Sequence, residues 1–371
     1  MLLTFGREFY FGAIIMGLIS LPILGQTTST PRSPSLYLSG HNTVIGVSES
    51  GEITNLPNPF PLSMGGDFEG RLLLVDSQGL LNCEFYLENL TNSPIAKLLP
   101  DGSWSNVSSG LVRDMILSPT GGILVSGAGT ICKINSKGTA TAFATGLPDG
   151  SSNMAFDSKG SLFVADFVDS SIYKIPISKN TGLPGKPVLF ARLGPPRSPV
   201  LDKLPYWLSF VPGVTQNIPT GMVFGPDGNL YIAAQVRGAN TEATDTRSKI
   251  FMITPSGDIS TYADGFDELG KIAFDADGNL LANDYFAGVV YAVTKTNRVE
   301  PFVSTSNQAA GLALDPSFRA NLNLNSSKSR PTIVGHTQVI ELGLYVCLLV
   351  MISSAFYRWW RKATKPSLAG N

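Results

Sequence analysis

A recurring pair of short hairpins is the feature of this sequence that most constrains its fold. In the clearest copy, residues 218–264, two apolar segments flank a turn at 226–228 (PDG), and a second hairpin turns at 255–257 (PSG). Turn glycines adopt the positive φ that tight hairpins need, and Ile, Val, Phe and Tyr favour strands. Each such unit therefore predicts a four-stranded antiparallel sheet.

The unit recurs along most of the chain. The clearest copies of its first hairpin span 112–127, 152–166, 221–234 and 270–284. A weaker copy begins near Met64, and residues 71–76 are predicted to be its second strand. Sheet-forming units repeated at roughly 40 to 65 residues are typical of propeller blades.

One further unit is divided between the two ends of the repeat region. Residues 309–316 form a first strand with no hairpin after it, whereas residues 35–56 contain later strands with no first strand before them. Pairing the two segments closes the ring and removes two exposed sheet edges. The sequence predicts an all-β, six-bladed β-propeller over 35–321 with a split closing blade. Five or seven blades are the alternatives, because the copy near Met64 matches poorly.

An apolar segment precedes the predicted propeller. Arg7 is followed by an apolar run over 9–24 that ends in small residues and proline. A charged start, a short apolar core and small residues near its end predict a signal peptide over 1–25. The alternative is a signal anchor that is not cleaved.

A second apolar segment follows the propeller, after a polar linker at 322–338. Residues 339–357 have about 19 positions, enough to cross a bilayer core, and they predict a transmembrane helix. The basic segment 358–371 that follows predicts a cytoplasmic tail. A buried or amphipathic helix is the alternative. These segments predict a single-pass membrane protein whose propeller is extracellular, periplasmic or lumenal. Glycosylation sequons on that side are Asn89, Asn106 and Asn325.

Composition excludes some partners and limits covalent cross-links. Charged residues are 15% of the chain and the net charge is −1, which argues against nucleic acid as a partner. The three cysteines allow at most one disulfide within the propeller, between Cys83 and Cys132, since Cys347 lies in the apolar C-terminal segment. Two small buried thiols are the preferred interpretation, because disulfide-dependent scaffolds carry more cysteines.

Three motifs carry a resemblance to a known group. They are TGMVFGPDGNLY (220–231), FDADGNL (274–280) and LFVAD (162–166). The blade pattern resembles the six-bladed propellers of the NHL-repeat and gluconolactonase-like (regucalcin-type) group. The resemblance covers about 35–321 and implies the fold but no single activity, because that group contains lactonases, lyases and binding modules. The lyases use histidines in the channel, and with only His41 and His336 this chain is not expected to share that chemistry.

The lactonase branch implies a divalent cation at the mouth of the central channel, held by an acidic residue and an Asn at the starts of first strands. Aligned on the turn glycines, that position contains no carboxylate; it is filled by Arg113, Ser152, Thr220, Gly270, Ala310 and Leu62. Asp114 and Asn153 lie one position later and would reach the site if their strands shift by one residue. A calcium ion held by these two is the candidate cofactor. The candidate channel-mouth residues are Arg113, Asp114, Ser152, Asn153, Thr220 and Lys271.

Several other acidic residues lie near strand ends. Asp76, Asp166 and Asp284 each end a predicted second strand, and we expect them to cap the following turn through backbone N–H groups. A ring of metal ligands is the alternative. Asp267 and Glu268 are the acidic residues nearest the channel, and a solvated loop is the expectation for them.

Three long insertions are predicted to emerge on one face of the propeller. They span 77–93, 192–217 and 235–248 and follow second or fourth strands, whose loops share a face. Long loops in compact domains are usually functional or disordered. The aromatic residues Tyr206, Trp207 and Phe210 predict that 192–217 covers the channel as a lid or forms a contact surface. A loop that merely plugs the channel is the alternative.

The sequence therefore favours a membrane-anchored, extracytoplasmic propeller that binds a ligand or protein partner through its loop-rich face. The alternative is a divalent-metal-dependent lactonase or ester hydrolase. A structural adhesion or envelope protein is a third hypothesis, which differs from the first in the size of its partner.

Overall fold

The computed structural model describes residues 36–40, 43–56, 68–75, 80–87, 93–99, 103–110, 112–194, 216–237, 248–305 and 311–322. In this described part of the chain, twenty-four strands form six four-stranded antiparallel sheets. No helix in these residues is long and apolar enough to span a membrane.

Each sheet is one blade. The closing blade contains β1 (Leu36–Gly40), β2 (Thr43–Val47), β3 (Ile53–Asn55) and β24 (Gly311–Leu314). The next contains β4 (Phe68–Val75), β5 (Leu81–Leu87), β6 (Ser93–Leu98) and β7 (Trp104–Gly110). It is followed by β8 (Asp114–Leu117), β9 (Ile123–Gly127), β10 (Thr130–Ile134) and β11 (Ala140–Ala144).

The remaining three blades follow in chain order. They are β12 (Ser151–Phe156), β13 (Leu162–Asp166), β14 (Ser171–Ile175) and β15 (Val188–Arg192); β16 (Gln216–Phe224), β17 (Leu230–Arg237), β18 (Ser248–Ile253) and β19 (Ile259–Phe266); and β20 (Leu269–Phe274), β21 (Leu280–Asp284), β22 (Val289–Val293) and β23 (Val299–Ser304). The predicted six-bladed, all-β propeller is confirmed.

The split closing blade is confirmed by strand pairing. β24 pairs with β1 in antiparallel register, with Leu314 opposite Leu36 and Gly311 opposite Ser39. The six first strands, β4, β8, β12, β16, β20 and β24, each lie beside the first strands of both neighbouring blades. These strands therefore surround the central channel, and residues at their starts face one another across it.

The weak blade was predicted one strand out of phase. Residues 71–76 were expected to be a second strand, but β4 is the first strand of its blade. β5 lies inside the segment 77–93 that was predicted to be a long insertion. The sequence VDSQGLL (75–81) repeats the pattern FDSKGSL (156–162), which is the turn between first and second strands. It follows that Asp76 comes after a first strand and that Leu62 lies before the first strand of its blade.

Apolar side chains between blades hold the first strands in place. Ile250 and Phe266 of one blade pack with Ile272 and Tyr291 of the next, and the rings of Phe266 and Tyr291 meet edge to face at 5.6 Å. Such edge-to-face pairs add to the energy of area burial. The channel-lining residues are thus carried on a rigid support.

The segment after β24 also belongs to the core. Phe318 is fully buried, and its ring packs edge to face on Phe302 with centroids 5.9 Å apart. Its carbonyl oxygen accepts a hydrogen bond from Ala276 N–H at 2.8 Å. The propeller therefore extends past its last strand, close to the predicted end at 321.

Several predictions fall outside the described residues. They concern the signal peptide (1–25), linker (322–338 beyond its first residue), transmembrane helix (339–357), basic tail (358–371), the loop residues Tyr206, Trp207 and Phe210, and the sequons at Asn89 and Asn325. Asn106 lies on β7, the outermost strand of its blade, and is exposed.

The interpretation of the cysteines is partly wrong. Cys132 on β10 is a free thiol, so the Cys83–Cys132 disulfide is not formed. Cys132 is half-buried rather than buried and packs at the edge of a core cluster that contains Ile95, Met115 and Ile134.

Candidate functional site

Four of the six first strands contain an extra residue, and three of these extra residues lie at or beside the predicted channel-mouth residues. The pairing register shifts between Ser151 and Met154 in β12, and between Leu269 and Ile272 in β20. A third shift in β16 falls at Thr220. A bulge re-aims the side chains next to it. The one-residue shift that Asn153 needed to reach the channel is therefore present in its strand.

A lysine joins the two predicted metal ligands. Lys271 Nζ on β20 lies 2.5 Å from Asp114 Oδ1 on β8 and 2.7 Å from Asn153 Oδ1 on β12. The ammonium thus donates to two acceptors on two other blades. We name these three residues the channel triad. Asp114, Asn153 and Lys271 were all predicted at the channel mouth, and the structure brings them into direct contact.

Backbone groups orient the two acceptors of the triad. Met154 N–H donates to Asp114 Oδ2 at 2.8 Å, which leaves Oδ1 facing Lys271. Asn153 Nδ2 donates to the carbonyl oxygen of Pro219 at 3.1 Å, so its Oδ1 must face away from β16. An amide has one acceptor oxygen and one donor nitrogen, so this bond determines which atom meets the ammonium. Neither orientation depends on the lysine.

A glycine occupies the matching position of the blade between Asn153 and Lys271. Asp114, Asn153, Gly221 and Lys271 each precede the turn glycine of their blade by the same number of residues. A Cβ on Gly221 would lie 2.7 Å from Gly270 O and 3.0 Å from Lys271 Cα. The backbones of β16 and β20 are therefore too close for a side chain, and nothing projects from this position toward the triad.

The triad is largely removed from water. The Asp114 side chain is 6% exposed and the Lys271 side chain is 18% exposed. Charge-assisted hydrogen bonds are short and strong, and the desolvation of both ions makes each depend on the other. An ammonium has three N–H donors. Among the described residues, Lys271 donates to Asp114 and Asn153 alone, so one of its three N–H donors has no acceptor there.

The triad does not fit the divalent metal that the resemblance implies. A metal ion bound to Asp114 Oδ1 and Asn153 Oδ1 would occupy the position of the Lys271 ammonium, and the two positive charges would repel. Calcium prefers six to eight oxygens, several of them charged. In the described residues, no group of three or more His, Cys, Asp or Glu side chains is arranged to hold a metal.

The other predicted mouth residues do not join the triad. The Arg113 guanidinium donates to the carbonyl oxygen of Asp149 and lies over the Phe167 ring, 5.1 Å from its centroid. Thr220 Oγ1 donates to the carbonyl oxygen of Ala233 at 3.3 Å. Arg113 therefore contacts the next blade, and Thr220 bonds the neighbouring strand of its own blade.

Ser152 acts through its backbone. Its carbonyl oxygen accepts a hydrogen bond of 2.6 Å from Ser126 Oγ, which links β12 to β9. Its hydroxyl lies 3.3 Å from Asn153 Nδ2 and accepts from it. Ser152 supports the orientation of Asn153 and has no contact with Lys271.

The turn-capping role predicted for the strand-end aspartates is confirmed for two of them. Asp166 Oδ1 accepts from Val168 N–H at 2.8 Å and from Asp169 N–H at 3.0 Å. Asp284 Oδ1 accepts from Ala287 N–H at 3.1 Å in the same way. Burial raises the pKa of Asp166 above its usual range. Asp76 lies outside the described residues.

Asp267 and Glu268 are held more firmly than a solvated loop would be. Their backbone N–H groups donate to the two oxygens of Asp284, at 2.7 Å and 3.1 Å. The Glu268 carboxylate accepts from Gln235 Nε2 at 2.8 Å. These contacts join β17 and β21 to the turn before β20. Lys271 lies on β20, three residues after Glu268.

The pairing within the triad was not predicted from the sequence, although all three residues were named. Aligning the blades one residue later would have placed Asp114, Asn153, Gly221 and Lys271 in one row. That row contains an acid, an amide, a glycine without a side chain and a base. The alignment that started from Arg113, Ser152 and Thr220 did not show this pattern.

Solved structures that are similar to this chain share low sequence identity with it and have TM-scores below 0.5. A catalytically inactive variant of virginiamycin B lyase from Staphylococcus aureus, with quinupristin, shares 17% identity over 78% of this chain and 94% of its own, with a TM-score of 0.47. A protein of unknown function from Bacteroides caccae shares 15% identity over 76% and 98%, with a TM-score of 0.49. A gluconolactonase from Xanthomonas campestris shares 13% identity over 68% and 84%, with a TM-score of 0.48.

No protein-family model and no curated protein matches the chain. The activities of the proteins with similar solved structures are not transferred to this chain.

Proposed function

We propose that this chain is a metal-independent binding protein, whose propeller takes a ligand at the channel mouth. The observation that carries the proposal is the position of Lys271. Its ammonium stands between Asp114 and Asn153, where the lactonase hypothesis requires an exchangeable metal ion. The same ammonium has one N–H left for a ligand.

The triad selects a ligand by its oxygen acceptors. Lys271 and Asp114 together carry no net charge, so a full negative charge on the ligand is not required. A carbonyl, hydroxyl or carboxylate oxygen of a small molecule or peptide would accept from the third N–H of Lys271. Such a bond is strengthened by the surrounding burial, because hydrogen bonds to charged groups gain in a low dielectric.

The loop-rich face is the proposed entrance. Gln216 at the start of β16 lies opposite Arg237 at the end of β17, so the chain segments beyond both residues leave the sheet at one edge. Lys271 lies near the start of β20, which runs from the same side of the ring. A partner that contacts these segments would therefore be close to the triad.

Thermal unfolding of the purified full-length protein separates binding from metal-dependent hydrolysis. We expect millimolar Ca²⁺, Mn²⁺ or Zn²⁺ to leave the melting temperature unchanged, and lactones and aryl esters to be turned over no faster than in buffer. Melting that rises with Ca²⁺ and no longer does so in Asn153→Ala would contradict the proposal and support the lactonase hypothesis.

A ligand screen tests the positive part of the proposal. A panel of sugars, lactones, short peptides and carboxylates is compared by thermal shift on three proteins: wild type, Lys271→Met and Lys137→Ala. Lys137 is exposed in the turn between β10 and β11 and is the matched control. A ligand of the triad stabilises wild type and Lys137→Ala but not Lys271→Met. A ligand that stabilises all three equally binds elsewhere.

We also propose that the C-terminal apolar segment anchors the protein in a membrane, with the propeller on the extracytoplasmic side. Support comes from the length and apolar character of 339–357 and the basic residues after it. Alkaline carbonate extraction should leave the full chain in the membrane fraction and release a chain that ends at residue 338. Release of the full chain would overturn the anchoring.

A further inference from the structure

We propose that Asp114 and Asn153 form a cation-binding site whose resident cation is the chain's own Lys271 ammonium. In this site a covalently attached cation takes the place of an exchangeable ion. The inference goes beyond ligand binding at the channel mouth, and it holds whether or not the third N–H of Lys271 meets a ligand.

The two acceptors of this site are held in place without the lysine. Met154 N–H holds Asp114 Oδ2, and the Pro219 carbonyl holds Asn153 Nδ2. These partners are backbone groups of β12 and β16. Removing the Lys271 side chain therefore leaves both free oxygens aimed at the same point in the channel, with one net negative charge.

The distances to the two oxygens determine which cations the site accepts. The two oxygens lie 2.5 Å and 2.7 Å from Nζ. Ammonium–carboxylate distances are about 2.7–2.9 Å and calcium–oxygen distances about 2.3–2.6 Å, so either kind of cation is compatible with these oxygens. Two protein oxygens are too few to make a strong calcium site, and the rest of a calcium shell would be water.

In the native protein the tethered lysine outcompetes free cations for this site. A tethered group competes with free ions at an effective concentration set by its tether, commonly in the millimolar range or above. The Lys271 stem starts on a strand that packs directly against β16, so the ammonium searches little space. The site is therefore filled at all times, and its occupancy does not follow the ion content of the medium.

The consequence for the ring is a fixed cross-brace. Lys271 lies on the blade of β20, whereas its acceptors lie on the blades of β8 and β12, beyond the intervening blade of β16. The ammonium thus links three blades across the channel. An exchangeable ion would link them only when bound.

The experiment shortens Lys271 and supplies the missing cation from solution. The full-length proteins compared are wild type, Lys271→Ala, the double variant Lys271→Ala with Asp114→Asn, and the control Lys137→Ala. Each is melted in ethylammonium chloride, CaCl2 or NaCl at matched ionic strength, and binding of ethylammonium or Ca²⁺ is measured by calorimetry.

We expect Lys271→Ala to melt several degrees below wild type and to recover part of the loss in ethylammonium or Ca²⁺, but not in NaCl. Wild type and Lys137→Ala should not respond, because the site is filled, and the double variant should not respond, because the carboxylate is gone. Equal recovery in the double variant, an equal response of wild type, or no recovery in either cation overturns the proposal.

A variant too unstable to melt cooperatively is tested by refolding. Lys271→Ala is diluted from urea with and without ethylammonium or Ca²⁺, and native tryptophan fluorescence is followed. Recovery that depends on the cation and is absent in the double variant supports the proposal. If no cation changes the refolding yield of Lys271→Ala, the proposal is wrong.

Discussion

Replacing Asp114 with Asn tests how much the fold depends on the ion pair of the channel triad. The substitution keeps the size of the side chain but removes its charge, and it leaves the Lys271 ammonium between two neutral groups. Breaking a buried pair by removing one partner costs about 3–5 kcal/mol. Because Lys271 remains 18% exposed, we expect the lower end, about 3 kcal/mol.

A second variant separates the pair from the single residues. Lys271→Met removes the ammonium and keeps an apolar stem of similar volume. Alone it leaves Asp114, which is 6% exposed, without its cation, and it should cost a similar amount. Combined with Asp114→Asn it leaves no unpaired charge, and replacing both members of a buried pair is often close to neutral. The double variant should therefore be within about 1 kcal/mol of wild type. Its loss would then be smaller than the sum of the two single losses by far more than the ~0.5 kcal/mol scatter of independent sites.

Urea unfolding of the full-length proteins, followed by tryptophan fluorescence, measures these differences. At about 2 °C per kcal/mol for a domain of this size, each single variant should also melt about 6 °C below wild type. Equal slopes of the unfolding curves are the control that the denatured states are comparable. If the effects of the two single substitutions simply add in the double variant, the ion pair does not brace the propeller.

Three further substitutions test other parts of the structure. Gly221→Ala puts a Cβ 2.7 Å from the Gly270 carbonyl oxygen, so β20 must move, and we expect a loss of about 1–3 kcal/mol in urea unfolding. Asp166→Asn should stabilise the protein at pH 7 but not at pH 4, in melting curves recorded at both values. The reason is that burial raises the pKa of Asp166 in the folded protein. The preference of the fold for the protonated carboxyl therefore stabilises the protein below the unfolded-state pKa and is lost as the pH rises through the folded-state pKa, whereas Asn does not ionise. A stability gain that is equal at both pH values would contradict this. Phe318→Ala empties a fully buried position and should cost about 3–5 kcal/mol; a loss below 1 kcal/mol would show that the segment after β24 is not part of the core.

The fold could be predicted because its determinants are local. The turns at Gly160, Gly228 and Gly278 have positive φ, and each is flanked by apolar segments that form strands. The caps made by Asp166 and Asp284 are also local, because they bond N–H groups only two or three residues later. Such features repeat along the chain, and their repetition determined the blade count and the split closure.

The weak blade shows where local pattern reasoning stopped. The sequence at 76–79 matches the sequences of the other first turns, but the spacing from the previous unit does not show which strand of the blade comes before it. The position of β4 beside β24 and β8 decided that it is a first strand. Whether a strand is the first or second of its blade depends on which strands meet at the centre of the ring. The spacing of strands along the sequence alone does not specify this.

The triad depended on tertiary structure for the same physical reason. Lys271 is 157 residues from Asp114 and 118 from Asn153, and the three meet only because the ring closes and the first strands carry bulges. The sequence determined that an acid, an amide and a lysine begin first strands, because turn glycines place them. Only the tertiary structure decided that the lysine passes Gly221 to contact both Asp114 and Asn153.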